Sequence, residues 1–421
     1  MKLQSKLQSL FELFLFRGLL LPKISCERWI RIRRIRRRKK ASVVFIVSSL
    51  PMWRSRRVYE ILADDPRFEV CVALFPFSSF GHDQGREAVR AIRDFCTVSS
   101  VPYVDLSNFS SPGRELKKVF NPDVIFYPQP YNNLYYNDLD STCFQERLLC
   151  YVPYSIDTFR EPWVYKNYLY NTAWRVFLML EDHKKEAKEI LYNSASNVRI
   201  VGDPIADYFQ DSVVSDPWKP QETPKKRIIW APHFSILADG WLHMDSFTRL
   251  SIFMLELAER YREQIQIAFK PHPRLLSALQ DSPDWGPDKA DSYFKKWESG
   301  PNTQLELGAY IDLFKCSDAM IHDCGSFSVE YHFTGKPVLF FTQDIEKMLS
   351  KLNSLGKEAI SAHYKASSEA EILTFVNNTV LGGKDPMKPV RESFREKYLT
   401  PRGEGSVSKN IYNELVNSLW R

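Results

Sequence analysis

Two short stretches of this 421-residue chain carry residue types and spacings fit for phosphate chemistry. In FKPHPRL (269–275) an apolar run ends in Lys270, His272 and Arg274, separated by two prolines. Proline fixes φ at about −65°, so the loop stays extended and offers its cationic and donor groups in a set order. That layout fits a pyrophosphate. In HDCGSFSVEYHFTGKPVLFF (322–341), Asp323, Gly325 and Ser326 make a turn after a buried run. Residues Phe327 to Phe333 can form a short helix, Gly335 suits its end, and Pro337 blocks its continuation. The Ser326 and Ser328 hydroxyls and the unpaired N–H groups at such a helix start bind anions, phosphate first among them.

A third stretch, WAPHFS (230–235), repeats the strand–Pro–His layout and offers His233 as a donor or a proton acceptor. WLHMDSF (241–247) holds His243 and Asp245, a binding loop or a helix start capped by Asp245. The eight histidines include no His-x-x-x-His pair with a Glu between, and Asp138 and Asp140 of DLD read as surface. No Gly-x-Gly-x-x-Gly follows the first strand, and Pro337 replaces the hydroxyl residue that a Gly-Lys-Ser/Thr loop requires. Neither a metal nor a cofactor is expected.

The elements that must hold these loops alternate along the chain. Apolar runs at 41–49, 68–76, 122–130, 148–155, 175–180 and 199–204 predict buried strands with helical patterns between them. A proline-rich polar stretch at 211–226 reads as a linker. A second series follows at 226–233, 266–273, 319–323 and 337–341, then a helical segment to the end. Strands separated by helices imply a parallel sheet covered on both faces. The expected organisation is a 1–40 tail, domains over 41–210 and 227–385, and a C-terminal segment over 386–421. The expected fold is α/β, with two Rossmann-like sheets facing across a cleft. Ligands of such sheets bind beyond the strand C-termini.

The tail is the most biased segment. Residues 1–40 carry 13 Lys/Arg against 2 Glu, +11, while the remaining 381 carry 44 Lys/Arg against 49 Asp/Glu, −5. A mildly acidic body argues against a nucleic-acid partner. Leu3, Leu7, Leu10, Phe11 and Phe14 fall on one helical face, and eight of the ten residues 31–40 are basic. The apolar part is too short to span a bilayer. The combination predicts an amphipathic, polybasic segment adsorbed to anionic lipids at the cytoplasmic face of a membrane. Seven scattered cysteines with no Cys-x-x-Cys pair fit a reducing compartment.

The second domain resembles that of the CDP-glycerol glycerophosphotransferases, the teichoic-acid primase and polymerase family. The resembling residues are IIWAPH (228–233), KPHP (270–273), CSDAMIHDCGSFSVEYHFTGKPVLFF (316–341) and VGDPIADYF (201–209). The resemblance implies a GT-B fold and transfer of a polyol phosphate from a CDP-linked donor to a membrane-bound acceptor, in teichoic acid or capsular polysaccharide synthesis, releasing CMP. It implies donor-binding roles for Lys270, Arg274, Asp323, Gly325, Ser326, Ser328 and Glu330, and charge stabilisation by His272 and His233. Gly325 replaces the first Ser of the family's pattern. The family's His-Gly-Thr-Pro stretch, with its presumed base, is absent: CYVPYSID (150–157) stands there without a His. Asp157 and His183 are the substitute base candidates at first-domain strand ends. A nucleotide-sugar glycosyltransferase and an inactive nucleotide-binding partner of a polymer-synthesis complex are the alternative readings.

Overall fold

The computed structural model describes residues 14–76, 82–135, 138–236, 244, 246–400 and 405–421. The tail positions Leu3, Leu7, Leu10 and Phe11, and also His243 and Asp245, lie outside the described residues. The chain divides into two units. The first is Met1–Ser155, Glu161–Asp207 and Pro401–Arg421; the second is Ile156–Arg160 and Tyr208–Thr400.

The first unit is built on seven parallel strands: β1 (Ala41–Val47), β2 (Phe68–Leu74), β3 (Tyr103–Asp105), β4 (Val124–Tyr127), β5 (Leu148–Tyr151), β6 (Arg175–Leu178) and β7 (Val198–Ile200). Their order is β3-β2-β1-β4-β5-β6-β7, with Val43 paired to both Val70 and Val124. The second unit has six: β8 (Lys226–Ala231), β9 (Ile265–Phe269), β10 (Thr303–Leu305), β11 (Ala319–His322), β12 (Val338–Phe341) and β13 (Tyr364–Ala366), in the order β10-β9-β8-β11-β12-β13. Each order reverses once, between β1 and β4 and between β8 and β11. Those are the points where an open sheet leaves a crevice at its C-terminal edge. The central strands are buried on both faces, so they read as unbroken apolar runs. In the second sheet Trp230 stacks on Phe269 at 4.9 Å, and Trp297 packs on both rings.

The basic N-terminal segment is helical and partly used internally. Residues Leu21–Arg38 form one helix, closed by Lys39 at φ +55°. Arg17 donates to Tyr192 O and Ser194 Oγ, Arg28 to Thr172 O and Arg147 O, and Arg31 to Glu146 O. Arg31 and Arg38 both reach the carboxylate of Asp123. These acceptors immediately precede β7, β6, β5 and β4. The helix therefore lies across the N-terminal edge of the first sheet, with Ile24 and Ile35 fully buried beneath it. Its outward face keeps Trp29, Ile30, Arg33, Arg34 and Arg37 exposed, and Leu19 is exposed in the turn before it.

Two further segments depart from the expectation. Residues 211–226 are docked, not free: Trp218 is buried, its indole N–H donates to Leu313 O, and Lys219 N–H donates to Gln304 Oε1. The C-terminal segment is split between the units. Lys388–Tyr398 belongs to the second, and Val407–Trp420 to the first. Asp207 caps the latter helix through the N–H groups of Val407 and Ser408, and Glu414 pairs with Arg175 and Arg199.

Asp123 is 1% exposed and also accepts from Ser42 N–H and Oγ–H. Deleting residues 1–40 removes both of its arginines and strands a buried charge. Breaking such a pair costs about 3–5 kcal/mol. Arg31→Gln with Arg38→Gln is expected to lower the melting temperature markedly, whereas Arg33→Gln with Arg37→Gln is expected to leave it near wild type. Equal melts of the two double variants would contradict this arrangement.

Candidate functional site

At the C-terminal edge of the second sheet, the loops after β8, β9 and β11 are fastened to one another by this chain's own groups. Asp323 follows β11 and is 1% exposed. Its Oδ1 accepts the His233 N–H at 2.7 Å, and its Oδ2 accepts the Ser246 N–H at 2.9 Å, where the helix Ser246–Arg260 begins. The sequence cast Asp323 as a donor ligand; both its oxygens instead hold backbone. Beyond the strand ends, Lys270 N–H donates to Trp230 O and His272 N–H to Pro232 O, so the β8 and β9 loops stay in register. The Cys324 thiol donates to Ala231 O and its N–H to His322 Nδ1.

This frame gathers His233, Lys270, His272, Arg274, Gly325 and Ser326. The His233 and His272 rings lie 5.0 Å apart, and Arg274 sits 4.5 Å over the Phe234 ring. His272 Nδ1 accepts the Arg274 N–H, and His233 Nδ1 accepts the Ser235 N–H and meets Ser235 Oγ at 2.8 Å. A neutral imidazole whose Nδ1 accepts carries its proton on Nε2. Each ring is therefore a donor through Nε2, not a lone-pair base. Burial lowers His233 to about 4; burial, helped by His233 and Arg274, lowers His272 to about 3. Burial lowers Lys270 to about 8, with Glu306 opposing the shift, and its Nζ donates to Gly308 O. Among the described residues, the N–H groups of Gly325, Ser326 and Phe327 and the Ser326 hydroxyl donate to no protein acceptor. Two cations, two imidazole donors and three backbone donors converge on one edge, a set fit for a diphosphate.

The remaining sequence candidates lie elsewhere or serve the frame. Ser328 Oγ–H is turned back to Gly325 O. Glu330 is fully buried and accepts the Tyr310 hydroxyl at 2.6 Å, tying the helix after Ser326 to the β10 loop. Asp157 belongs to the second unit, not the first, and its Oδ1 accepts the Phe159 N–H in a local turn. His183 is buried on the helix Glu181–Ile190 of the first unit, so the two base candidates sit in different units. Among the described residues no group of three or more His, Cys, Asp or Glu side chains is placed to hold a metal ion.

Sequence reasoning missed Phe159, Phe234 and Tyr310, and the fully buried histidines His322, His332 and His363. Phe159 explains the glycine. A Cβ on Gly325 would stand 2.4 Å from the ring of Phe159, a residue whose backbone pairs with Leu352 and whose side chain packs against the cluster of Phe340, Met348, Leu352 and Ile360. No signal in the sequence joins residues 159 and 325; only the tertiary fold does.

With this geometry in place, comparison with known proteins is informative. The profile of the family described as CDP-Glycerol:Poly(glycerophosphate) glycerophosphotransferase matches residues 171–416. Among solved structures, the wall teichoic acid polymerase TagF, H444N variant, is similar with a TM-score of 0.61 and 11% identity, covering 99% of this chain and 98% of that one. A putative UDP-N-acetylglucosamine 2-epimerase from Listeria monocytogenes matches with a TM-score of 0.57 and 15% identity over 90% of this chain and 96% of its own. The UDP-GlcNAc 2-epimerase from Neisseria meningitidis bound to UDP-GlcNAc gives 0.56 and 16%, over 90% of this chain and 100% of its own. At these identities the structural likeness shows the fold, two parallel-sheet α/β units of GT-B type. No curated protein matches the chain.

Two outcomes follow from this site. Gly325→Ala is expected to destabilise the protein by about 1–3 kcal/mol through overpacking, and Phe159→Ala is expected to recover part of that loss in the double variant. Additive losses in a double-mutant cycle of thermal melts would deny the contact. The second outcome concerns acid. Unfolded histidines take up protons near pH 6.5, whereas folded His233, His272 and His363 do so only near 3–4. Between those limits the unfolded state binds more protons. Stability is therefore fully present above about pH 6.5 and is lost as pH falls, at about 1.4 kcal/mol per pH unit for each such group. Urea melts at pH 7 and pH 5 should differ strongly; a flat profile would mean that these rings are not held neutral.

Proposed function

Because the chain belongs to the CDP-glycerol:poly(glycerophosphate) glycerophosphotransferase family, we propose that it transfers glycerol phosphate, or a related polyol phosphate, from a CDP-linked donor to a membrane-associated acceptor in cell-surface polymer synthesis. The observation that carries the reading is the cluster of Lys270, Arg274, His233 and His272 beside the open N–H groups of 325–327, within the matched residues.

In this reading the donor's diphosphate lies at that edge. The acceptor hydroxyl oxygen attacks the β-phosphorus, and the bond from that phosphorus to the bridging oxygen of CMP breaks. Negative charge grows on the transferred phosphoryl group and on the leaving phosphate. Lys270, Arg274, the two Nε2–H groups and the backbone donors oppose it without reorganising. Neutral imidazoles serve this as hydrogen-bond donors. The hydroxyl proton goes to a group outside the donor loops, because neither ring turns a lone pair outward.

The outward face of residues 15–37 supports a peripheral membrane position, with Trp29 and Ile30 as apolar anchors between Arg33, Arg34 and Arg37. No described helix is long and apolar enough to cross a membrane.

Incubation with CDP-glycerol, CDP-ribitol and nucleotide sugars, with and without lipid-linked acceptor, tests the reaction. CMP release is expected with a CDP-polyol and acceptor, and it should survive EDTA. Turnover of a nucleotide sugar alone, or a strict Mg²⁺ requirement, would overturn the reading. His272→Ala and Lys270→Met are expected to weaken CDP binding by about one to two powers of ten in calorimetry, since hydrogen bonds to charged groups contribute about 1.5–3 kcal/mol. Trp29→Ser with Ile30→Ser should reduce co-sedimentation with anionic vesicles without moving the melt. Unchanged pelleting would remove this face from the membrane account.

A further inference from the structure

We propose that His322, His363 and His332 are positioning residues for the phosphate loop: a chain of three neutral imidazoles whose proton order pins the Asp323–Cys324 peptide, one peptide before Gly325. The inference rests on the donor-site reading above.

All three rings are buried. They come from distant places: the end of β11, the residue before β13, and the 3₁₀ turn Tyr331–Thr334. The proton order can be derived from one end. Cys324 N–H donates to His322 Nδ1 at 3.1 Å, so the His322 proton is on Nε2. That Nε2 lies 3.1 Å from His363 Nε2, which must therefore accept. The His363 proton is then on Nδ1, 2.7 Å from Ala359 O. His332 Nε2 meets His363 Nδ1 at 3.2 Å and Ala359 O at 3.3 Å. A proton added to His322 Nδ1 would displace the Cys324 N–H, and one added to His363 Nε2 would face another N–H. The chain is therefore ordered only when its rings are neutral, and burial holds all three below the ordinary imidazole range, Arg391 adding to the effect on His332 and His363.

Filling space does not account for this arrangement. The rings are walled by Phe340 and Phe394, and His332 Nδ1 is buried with no partner among the described residues. Apolar side chains would fill the volume without leaving a nitrogen unsatisfied. Nor is it a metal site, since His363 turns a different nitrogen to each neighbour. What the chain delivers is an oriented acceptor at the Cys324 N–H, one peptide before the open N–H groups of Gly325, Ser326 and Phe327. His322, unable to rotate because His363 holds its other nitrogen, keeps that peptide from turning.

The test compares His322→Leu with His322→Asn, by calorimetric titration of CDP beside thermal melts. The Asn carbonyl can replace Nδ1 as acceptor for Cys324 N–H but cannot reach His363. Both variants are expected to melt lower. CDP affinity should fall about tenfold in His322→Leu and by an intermediate factor of about threefold in His322→Asn, which restores the acceptor at Cys324 N–H but not its orientation by His363. A loss in His322→Asn as large as in His322→Leu, or wild-type affinity in either variant, would overturn the proposal. Nitrogen-15 histidine spectra of the unmodified protein test the proton order even where a variant does not fold. They should show His322 protonated at Nε2 and His363 at Nδ1; protonation of His322 at Nδ1 would sink the chain. Unmodified protein that shows this order yet binds no CDP would refute the donor-site reading alone.

Discussion

The second unit depends on one carboxylate. Asp323 stands at the reversal of strand order, where the β8 and β11 loops diverge, and its two oxygens hold the N–H groups of His233 and Ser246. A buried carboxylate must be fully hydrogen-bonded, or burial would force it neutral. Satisfying that need with backbone from two other segments makes Asp323 a staple. It sets where the His233 ring begins and where the following helix starts. Neighbouring bonds extend the same frame: Lys270 and His272 N–H to the β8 strand end, and the Cys324 thiol to Ala231 O. The loops are thereby organised by the chain's own groups, which is the condition for electrostatic stabilisation without reorganisation.

The electrostatics of the edge follow from that frame. Because the loops are fixed, His233 and His272 turn Nδ1 inward to backbone N–H groups and leave Nε2–H as the outward function. Because they are buried beside Arg274, they stay neutral and do not compete with Lys270 and Arg274 for counter-charge. A positively charged His pair beside Lys270 would repel itself. A neutral pair avoids that repulsion and still donates. Glu330 extends the same frame: its bond to the Tyr310 hydroxyl ties the β10 loop to the helix that follows Ser326.

Much of this was legible in the sequence, for identifiable reasons. Central strands appear as continuous apolar runs because both faces are covered, and each such run does contain a strand. The strands β3, β10 and β13 were missed. Each is three residues long at a sheet edge and includes polar residues, so no apolar run registers; β7, just as short, showed through Ile200 and Val201. The candidate loops stood out because Lys, His and Arg alternate with two prolines after β9 and a Pro-His pair follows β8. What could not be read was partnership. Asp323 and Glu330 were expected to bind the donor, but their bonds go to residues that only the tertiary fold brings near, and the Ser328 hydroxyl turns back to Gly325 O. The arginines of 28–38 looked like free charge because no pattern announces that Asp123, some ninety positions away, is buried beneath them.

That last pairing bears on how the first unit can work. The basic helix lies across the N-terminal ends of β4 to β7, whereas an open sheet of this order binds ligands beyond its C-terminal ends. The two lie at opposite ends of the same strands. If the outward face of the helix rests on lipid, as proposed, adsorption leaves the sheet's ligand edge uncovered. The inward arginines, bonded to carbonyls and to Asp123, fasten the helix to the residues that lead into the strands. The segment is then not an appendage that tethers a separate body by a flexible arm. It is the floor of the first unit, and on a lipid surface those hydrogen bonds would set the unit's orientation.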